Sequence, residues 1–82
     1  MPVKIPENYV SGGFTMEYEV PWMTPGAVSK LDALVRSDDR VIEVGTGGSS
    51  LFFARRCRAV LGAEPSSEWG ESVVAEARAR GL

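Results

Sequence analysis

The sequence predicts an α/β fold built on a partial βαβ unit, parallel strands with flanking helices, preceded by a helix and an N-terminal arm. Three observations carry this prediction: the short β-branched run Val41-Ile42-Glu43-Val44, the glycine cluster Gly45-Thr46-Gly47-Gly48 directly after it, and a second apolar run, Ala59-Val60-Leu61-Gly62-Ala63, one helix length further on. Continuous apolar runs of this length fit buried parallel strands, and strands joined through a helix take a right-handed crossover.

The elements follow in chain order. Residues 1–13 carry Pro2, Pro6 and Gly12-Gly13, the punctuation of an irregular arm that ends in a turn. Phe14, Met16, Tyr18 and Val20 alternate with Thr15, Glu17 and Glu19, which reads as a strand over 14–20 stopped by Pro21. These residues form an N-terminal arm, 1–23; a domain spans 24–82. Thr24-Pro25 starts a helix, the threonine oxygen capping free amides and the proline lying where its missing N–H costs nothing. Ala27, Val28, Leu31, Leu34 and Val35 recur at helical spacing, so this helix lays one side against a sheet before Ser37-Asp38-Asp39 ends it. After the glycine cluster, residues 50–56 form the crossover helix. Ser66 or Ser67 caps a last helix with Glu68 and Glu71 in its first turn, Arg78 and Arg80 in its last, and Gly81 as terminator. Trp69, Val73 and Ala77 make its apolar stripe, and both tryptophans, Trp22 and Trp69, read as packing residues.

Bulk composition narrows the function classes. With 82 residues, 44% hydrophobic and 24% charged, the chain is one small globular unit whose core is marginally stabilising on its own. Cys57 is the only cysteine and there is no histidine, which leaves no disulfide, no structural zinc set and no His-based triad or general base. Cys57 itself reads as a small buried hydrophobe. The net charge of −2 supplies no basic field for nucleic acid. The one basic run, Arg55-Arg56-Cys57-Arg58, stands at a helix end, where it complements the macrodipole and faces solvent. No apolar run reaches the ~20 residues a bilayer requires, and nothing in the sequence resembles a secretory signal peptide. The expectation is a soluble, cytoplasmic protein.

A glycine cluster between strand and helix places backbone amides where a ligand can approach the positive end of a helix. The dinucleotide fingerprint G-x-G-x-x-G is not met, because Ser50 stands where its third glycine belongs. Glu43, two positions before Gly45, would repel a phosphate but could organise an ammonium. In these residues the chain resembles the first motif of the Rossmann-like (class I) S-adenosylmethionine-dependent methyltransferases, E/D-x-G-x-G-x, present as Glu43-Val44-Gly45-Thr46-Gly47-Gly48. A second acid, Glu64, stands at the end of the next strand, where a carboxylate can accept hydrogen bonds from both ribose hydroxyls. The string Glu64-Pro65-Ser66-Ser67-Glu68-Trp69 adds to the likeness, which covers roughly residues 20 to 82.

The resemblance implies an S-adenosylmethionine site formed by Glu43, Gly45, Thr46, Gly47, Gly48 and Ser49, with Glu64 at the ribose and Pro65 and Ser66 flanking the adenine. It also implies that the chain holds only the N-terminal, cofactor-binding portion of such an enzyme, since the strands that usually carry the acceptor site are absent. No catalytic residue or methyl acceptor is legible, so activity depends on further chain or a partner. Lacking a neighbouring strand, Val41 to Val44 should keep an unpaired edge and an uncovered apolar face, which the 14–20 segment of this or another copy would cover. The same residues leave two alternatives: an NAD or other nucleotide-binding domain, for which Glu64 is equally suited, and a non-catalytic interaction protein that homo-oligomerises through the exposed sheet edge.

Overall fold

A computed structural model describes residues 15–82; the arm over residues 1–14, Phe14 included, lies outside them. The elements are α1 (Thr15–Tyr18), α2 (Pro25–Leu34), β1 (Arg40–Val44), α3 (Gly48–Arg56), β2 (Ala59–Ala63) and α4 (Ser67–Ala79). β1 and β2 pair in parallel, with Arg40 opposite Ala59 and Val44 opposite Ala63, and α3 makes the crossover. The molecule is thus a mixed α/β unit with a two-stranded parallel sheet and flanking helices. Among the described residues no helix is long and apolar enough to cross a membrane.

The strand expected over 14–20 is replaced, in its described part, by one turn of helix. Seven residues of alternation cannot separate a period of two from one of 3.6, and tertiary closure decides the outcome. Val20 N–H donates to Thr15 O at 3.0 Å and Glu19 N–H to Met16 O at 3.4 Å, the paired bonds that terminate a helix when the residue after it turns left-handed. Glu19 is that residue, at φ 55°. The turn delivers Val20 into a fully buried cluster with Val28 and Phe52, against which Leu31, Val35 and Phe53 pack. All of these lie on α2, on α3 or in their flanking segments. The apolar side of α2 therefore meets α3, where the sequence pointed to the sheet, and Leu34 remains exposed.

The remaining termini follow the sequence. Thr24 Oγ1 accepts from Ala27 N–H at 3.2 Å, and Ser66 Oγ accepts from Trp69 N–H at 3.2 Å. α4 ends on Gly81 at φ 77°, with Leu82 N–H on Ala77 O at 2.8 Å and Gly81 N–H on Arg78 O at 3.1 Å, the same bond pair that closes α1.

One sheet face is bare. Ile42 is 79% exposed, Val44 93% and Leu61 68%, and the register sets Ile42 beside Leu61. α3 packs against β2, while Val41, Glu43 and Val60, whose side chains alternate away from the bare face, are half-buried. Among the described residues nothing pairs with the outer edge of β1 or covers this face; residues 15–20, part of the segment expected to cover them, pack on α3 instead.

A left-handed glutamate is unusual, and Glu19 is held there by charge. Its Oε1 accepts from Arg55 Nε at 2.5 Å, and its Oε2 from Arg55 Nη2 at 2.8 Å and from Arg80 Nη1 at 3.0 Å. Arg80 also bonds Glu76 Oε1 at 2.7 Å and Glu17 O at 3.3 Å. The α1 turn, the end of α3 and the end of α4 are clasped at one carboxylate, whose pKa the two guanidiniums, Arg55 foremost, pull down to about 2. A depressed carboxyl pKa contributes stability above its unfolded value and loses it as pH falls toward the folded one. Glu19→Gln should therefore cost about 1–2 kcal/mol at neutral pH, allowing for solvent screening of Arg55, with the difference from wild type vanishing between about pH 4.5 and 2. Glu19→Gly should cost about 0.5–1 kcal/mol less than Glu19→Gln because it relieves the left-handed backbone. Urea unfolding across pH checks both, and equal losses for the two variants would contradict the strain argument.

Candidate functional site

The turn between β1 and α3 lies at the carboxyl ends of both strands. Gly45 adopts φ 83°, a conformation that costs a residue with a Cβ about 1–2 kcal/mol, and its N–H donates to Ala63 O at 2.7 Å, extending the ladder one step past the sheet. Gly48 is the position of closest approach. A Cβ there would collide with the carbonyl oxygens of Thr15 and Val20, so this glycine admits the α1 backbone against the first turn of α3. Gly47 has an extended φ, and a Cβ on it would meet only Trp69 Cζ2 at 3.8 Å. Of the three glycines, then, one serves the turn and one serves packing within the chain.

Glu64 leaves the end of β2 and reaches the same turn. Its Oε1 accepts from Thr46 N–H at 2.8 Å and from Thr46 Oγ1 at 3.0 Å, and its Oε2 accepts from Ser66 N–H at 3.0 Å. These donors, the Ser66 amide first, hold its carboxyl below the ordinary carboxylate range. Gly62 makes the approach feasible, because a Cβ there would strike the methyl group of Thr46.

Glu43 points along the half-buried side of β1 into the start of α3. Its Oε2 accepts from Ser49 Oγ at 2.8 Å and its Oε1 from Ser50 Oγ. Ser50 also accepts from Gly47 N–H at 3.1 Å while its own N–H donates to Gly47 O at 3.0 Å, so one side chain caps α3 and relays that cap to Glu43. The sequence marked Ser50 as the residue that breaks a glycine fingerprint and as the first residue of the crossover helix; the helix starts two residues earlier, at Gly48, which puts Ser50 at its third position, where its side chain reaches the Gly47 amide.

Two concavities meet at Thr46. The larger, a groove of about 630 Å³ between α3, β2 and α4, is bordered by Glu43, Ser50, Glu64 and Ser66 and floored by apolar side chains such as Val60 and Val73. The smaller, a hollow of about 490 Å³, opens on the other side of Thr46 between Gly47, Gly48, Ser49, Met16 and the two tryptophans. Both acids, Ser66 and Thr46 are thereby brought together in the groove, Gly47, Gly48 and Ser49 border the hollow, and Gly45 and Pro65 border neither.

The tryptophans are not core residues. Trp22 is 73% exposed and Trp69 41%. Trp69 Nε1 donates to Thr46 O at 2.7 Å, which stands its indole against the glycine turn, out of the helix interface that its spacing with Val73 suggested.

Two of the three arginines of the basic run are engaged within the chain. Arg55 holds Glu19, and Arg56 pairs with Asp32 at 2.6 Å, bonds Phe52 O at 3.1 Å and lies 3.9 Å from the centroid of the Phe52 ring. Cys57 is half-buried; burial and then the nearby Asp39 charge raise its thiol pKa, which keeps it protonated and poorly nucleophilic. Comparison with protein families, with curated proteins and with solved structures finds no match to this chain.

The two adjacent glycines should respond oppositely to the same change. Gly48→Ala must push the α1 turn off α3 and should cost about 2 kcal/mol or more, whereas Gly47→Ala should stay within about 0.5 kcal/mol. Denaturant midpoints of the two variants measure this, and similar losses would show that the contact at Gly48 is not the constraint.

Proposed function

We propose that this chain is the cofactor-binding portion of a Rossmann-like S-adenosylmethionine-dependent methyltransferase. The observation that carries the reading is the Glu64 carboxylate, presented at the carboxyl end of β2 and facing the glycine-rich turn at the carboxyl end of β1. Ligands of open α/β sheets bind beyond the carboxyl ends of the strands. Each Glu64 oxygen retains acceptor capacity beyond its amide partner, so a ribose diol would take over Oε1 from the Thr46 hydroxyl while the amide bonds keep the carboxylate aimed.

The donor set and the space fit this cofactor. The groove, at about 630 Å³, falls in the ~300–1,000 Å³ range of small-molecule sites. Its apolar floor suits an adenosyl group, with Ser66 beside the adenine. Glu43 would meet the amino group of the methionine end if Ser49 and Ser50 released one of its oxygens. When bound, the cofactor supplies an electrophilic methyl group on a sulfonium; this chain contributes binding and orientation through Glu64, Thr46 and the Gly47–Ser49 backbone. A phosphate-bearing dinucleotide fits less well, since both acids border the same groove.

Titration calorimetry with S-adenosylhomocysteine should detect binding that Glu64→Gln weakens about tenfold, as expected for loss of a charge-assisted bond to the diol. Tighter binding of NAD, or no heat from either ligand at millimolar concentration, would overturn the reading.

A second reading, an interaction protein that assembles through its sheet, is favoured by the bare face of Ile42, Val44 and Leu61. If that face mediates self-association, Val44→Lys should convert an oligomer to a monomer in light scattering with no loss of secondary structure, because the side chain has little contact within its own chain. A wild-type monomer would remove this reading.

A further inference from the structure

The cofactor reading uses the groove and takes from the hollow of about 490 Å³ across Thr46 only the Gly47–Ser49 backbone, which leaves the hollow's aromatic walls unassigned. Among the described residues no charged side chain lines this hollow. Its walls are the indoles of Trp22 and Trp69, the thioether of Met16 and the backbone of Gly47; of its hydroxyls, those of Thr46 and Ser49 are committed to Glu64 and Glu43, and Thr15 adds a third. The positive end of α3 disfavours a cation here, and no lysine or arginine among the described residues lines it to hold an anion. The surface offered is flat and aromatic. Trp69 is fixed by its bond to Thr46 O, so its face is preorganised at the turn, while Trp22 leaves most of a large apolar surface in water. Aromatic rings gain stacking energy beyond simple burial, and a methionine sulfur adds a favourable ring contact.

We propose that this hollow binds an uncharged planar aromatic ring, and, resting on the methyltransferase reading, that the ring belongs to the methyl acceptor. On that reading Glu64 and Ser66 would hold the adenosyl group on the groove side of Thr46, and the two indoles stand across Thr46 from it, where an acceptor ring would be held. In the transfer, a lone pair on the acceptor's nucleophilic atom forms the bond to the methyl carbon. The sulfur–methyl bond breaks with its electron pair going to sulfur, and the acceptor's proton leaves to water.

The test uses the full chain, p-cresol as a neutral single-ring probe and cyclohexanol as a non-aromatic control of similar size, read on the two indole N–H signals by NMR. The expected result is saturable movement of both signals by p-cresol at concentrations where cyclohexanol has no effect. Trp22→Ala should weaken p-cresol about fivefold and Trp22→Phe should restore most of it; the exposure of Trp22 makes both variants compatible with folding. Equal responses to the two probes, or displacement of p-cresol by S-adenosylhomocysteine, would overturn the proposal. S-adenosylhomocysteine binding without any p-cresol response would remove the ring site and leave the cofactor reading standing, whereas p-cresol binding without S-adenosylhomocysteine binding would do the reverse.

Discussion

The contact at Gly48 sets the arrangement on which everything else in this small molecule depends. Two backbone carbonyls, of Thr15 and Val20, rest on the first residue of α3 where only hydrogen can be accommodated. Carbonyl oxygens at the amino end of a helix are placed favourably in its field. The approach fixes the α1 turn, and the turn fixes three further features at once: Val20 in the buried cluster, Glu19 between Arg55 and Arg80, and Met16 at the rim of the hollow. A residue with a Cβ at position 48 would uncouple all three. The glycine-rich turn is therefore a seat for the α1 turn of the chain itself, whatever else it holds.

Thr46 is the second hinge of the design. Its amide and hydroxyl answer Glu64, its carbonyl answers Trp69, and its methyl group lies over Gly62. The glycine turn is thus polar-satisfied without a ligand, and an incoming diol gains only the difference between its bonds and those it replaces. For the proposed diol, exchanging one hydroxyl for another at Oε1 would be close to neutral, so the gain at Glu64 would come from a second bond at Oε2, which accepts from the Ser66 amide.

How much of this was legible in the sequence depended on whether the deciding interaction was local. β1, α3, β2 and α4 came out within two residues of their expected bounds because β-branched runs, helical spacing and the Thr24, Ser66 and Gly81 caps act over a few positions. The α1 turn was misread because its conformation is decided by Gly48 and Arg55, more than thirty residues away. Trp22 and Trp69 were misread for a related reason: large aromatic residues are usually buried, and the bond from Trp69 to Thr46 spans 23 residues. Glu43 and Glu64 were placed correctly at their strand ends, but the hydroxyl and amide partners that occupy them have no signature in sequence spacing.

The bare sheet face is the feature these local rules leave unresolved, and its energetics are lopsided. Val20, Val28, Leu51, Phe52 and Val73 are the buried hydrophobic residues among those described, while Ile42, Val44 and Leu61 leave comparable apolar surface in water on one side of two strands. Covering a side chain of this size contributes about 1.5–3 kcal/mol, so an apolar surface laid on this face would add to stability on the same scale as the chain's own core. Parallel strands are ordinarily covered on both faces. The ion-pair clasp at Glu19 and the cap at Ser50 hold the helices to one face of the sheet, but they do nothing for the other. The glycine turn extends directly from Val44, so the strand that carries the turn is the one whose other face stays in water.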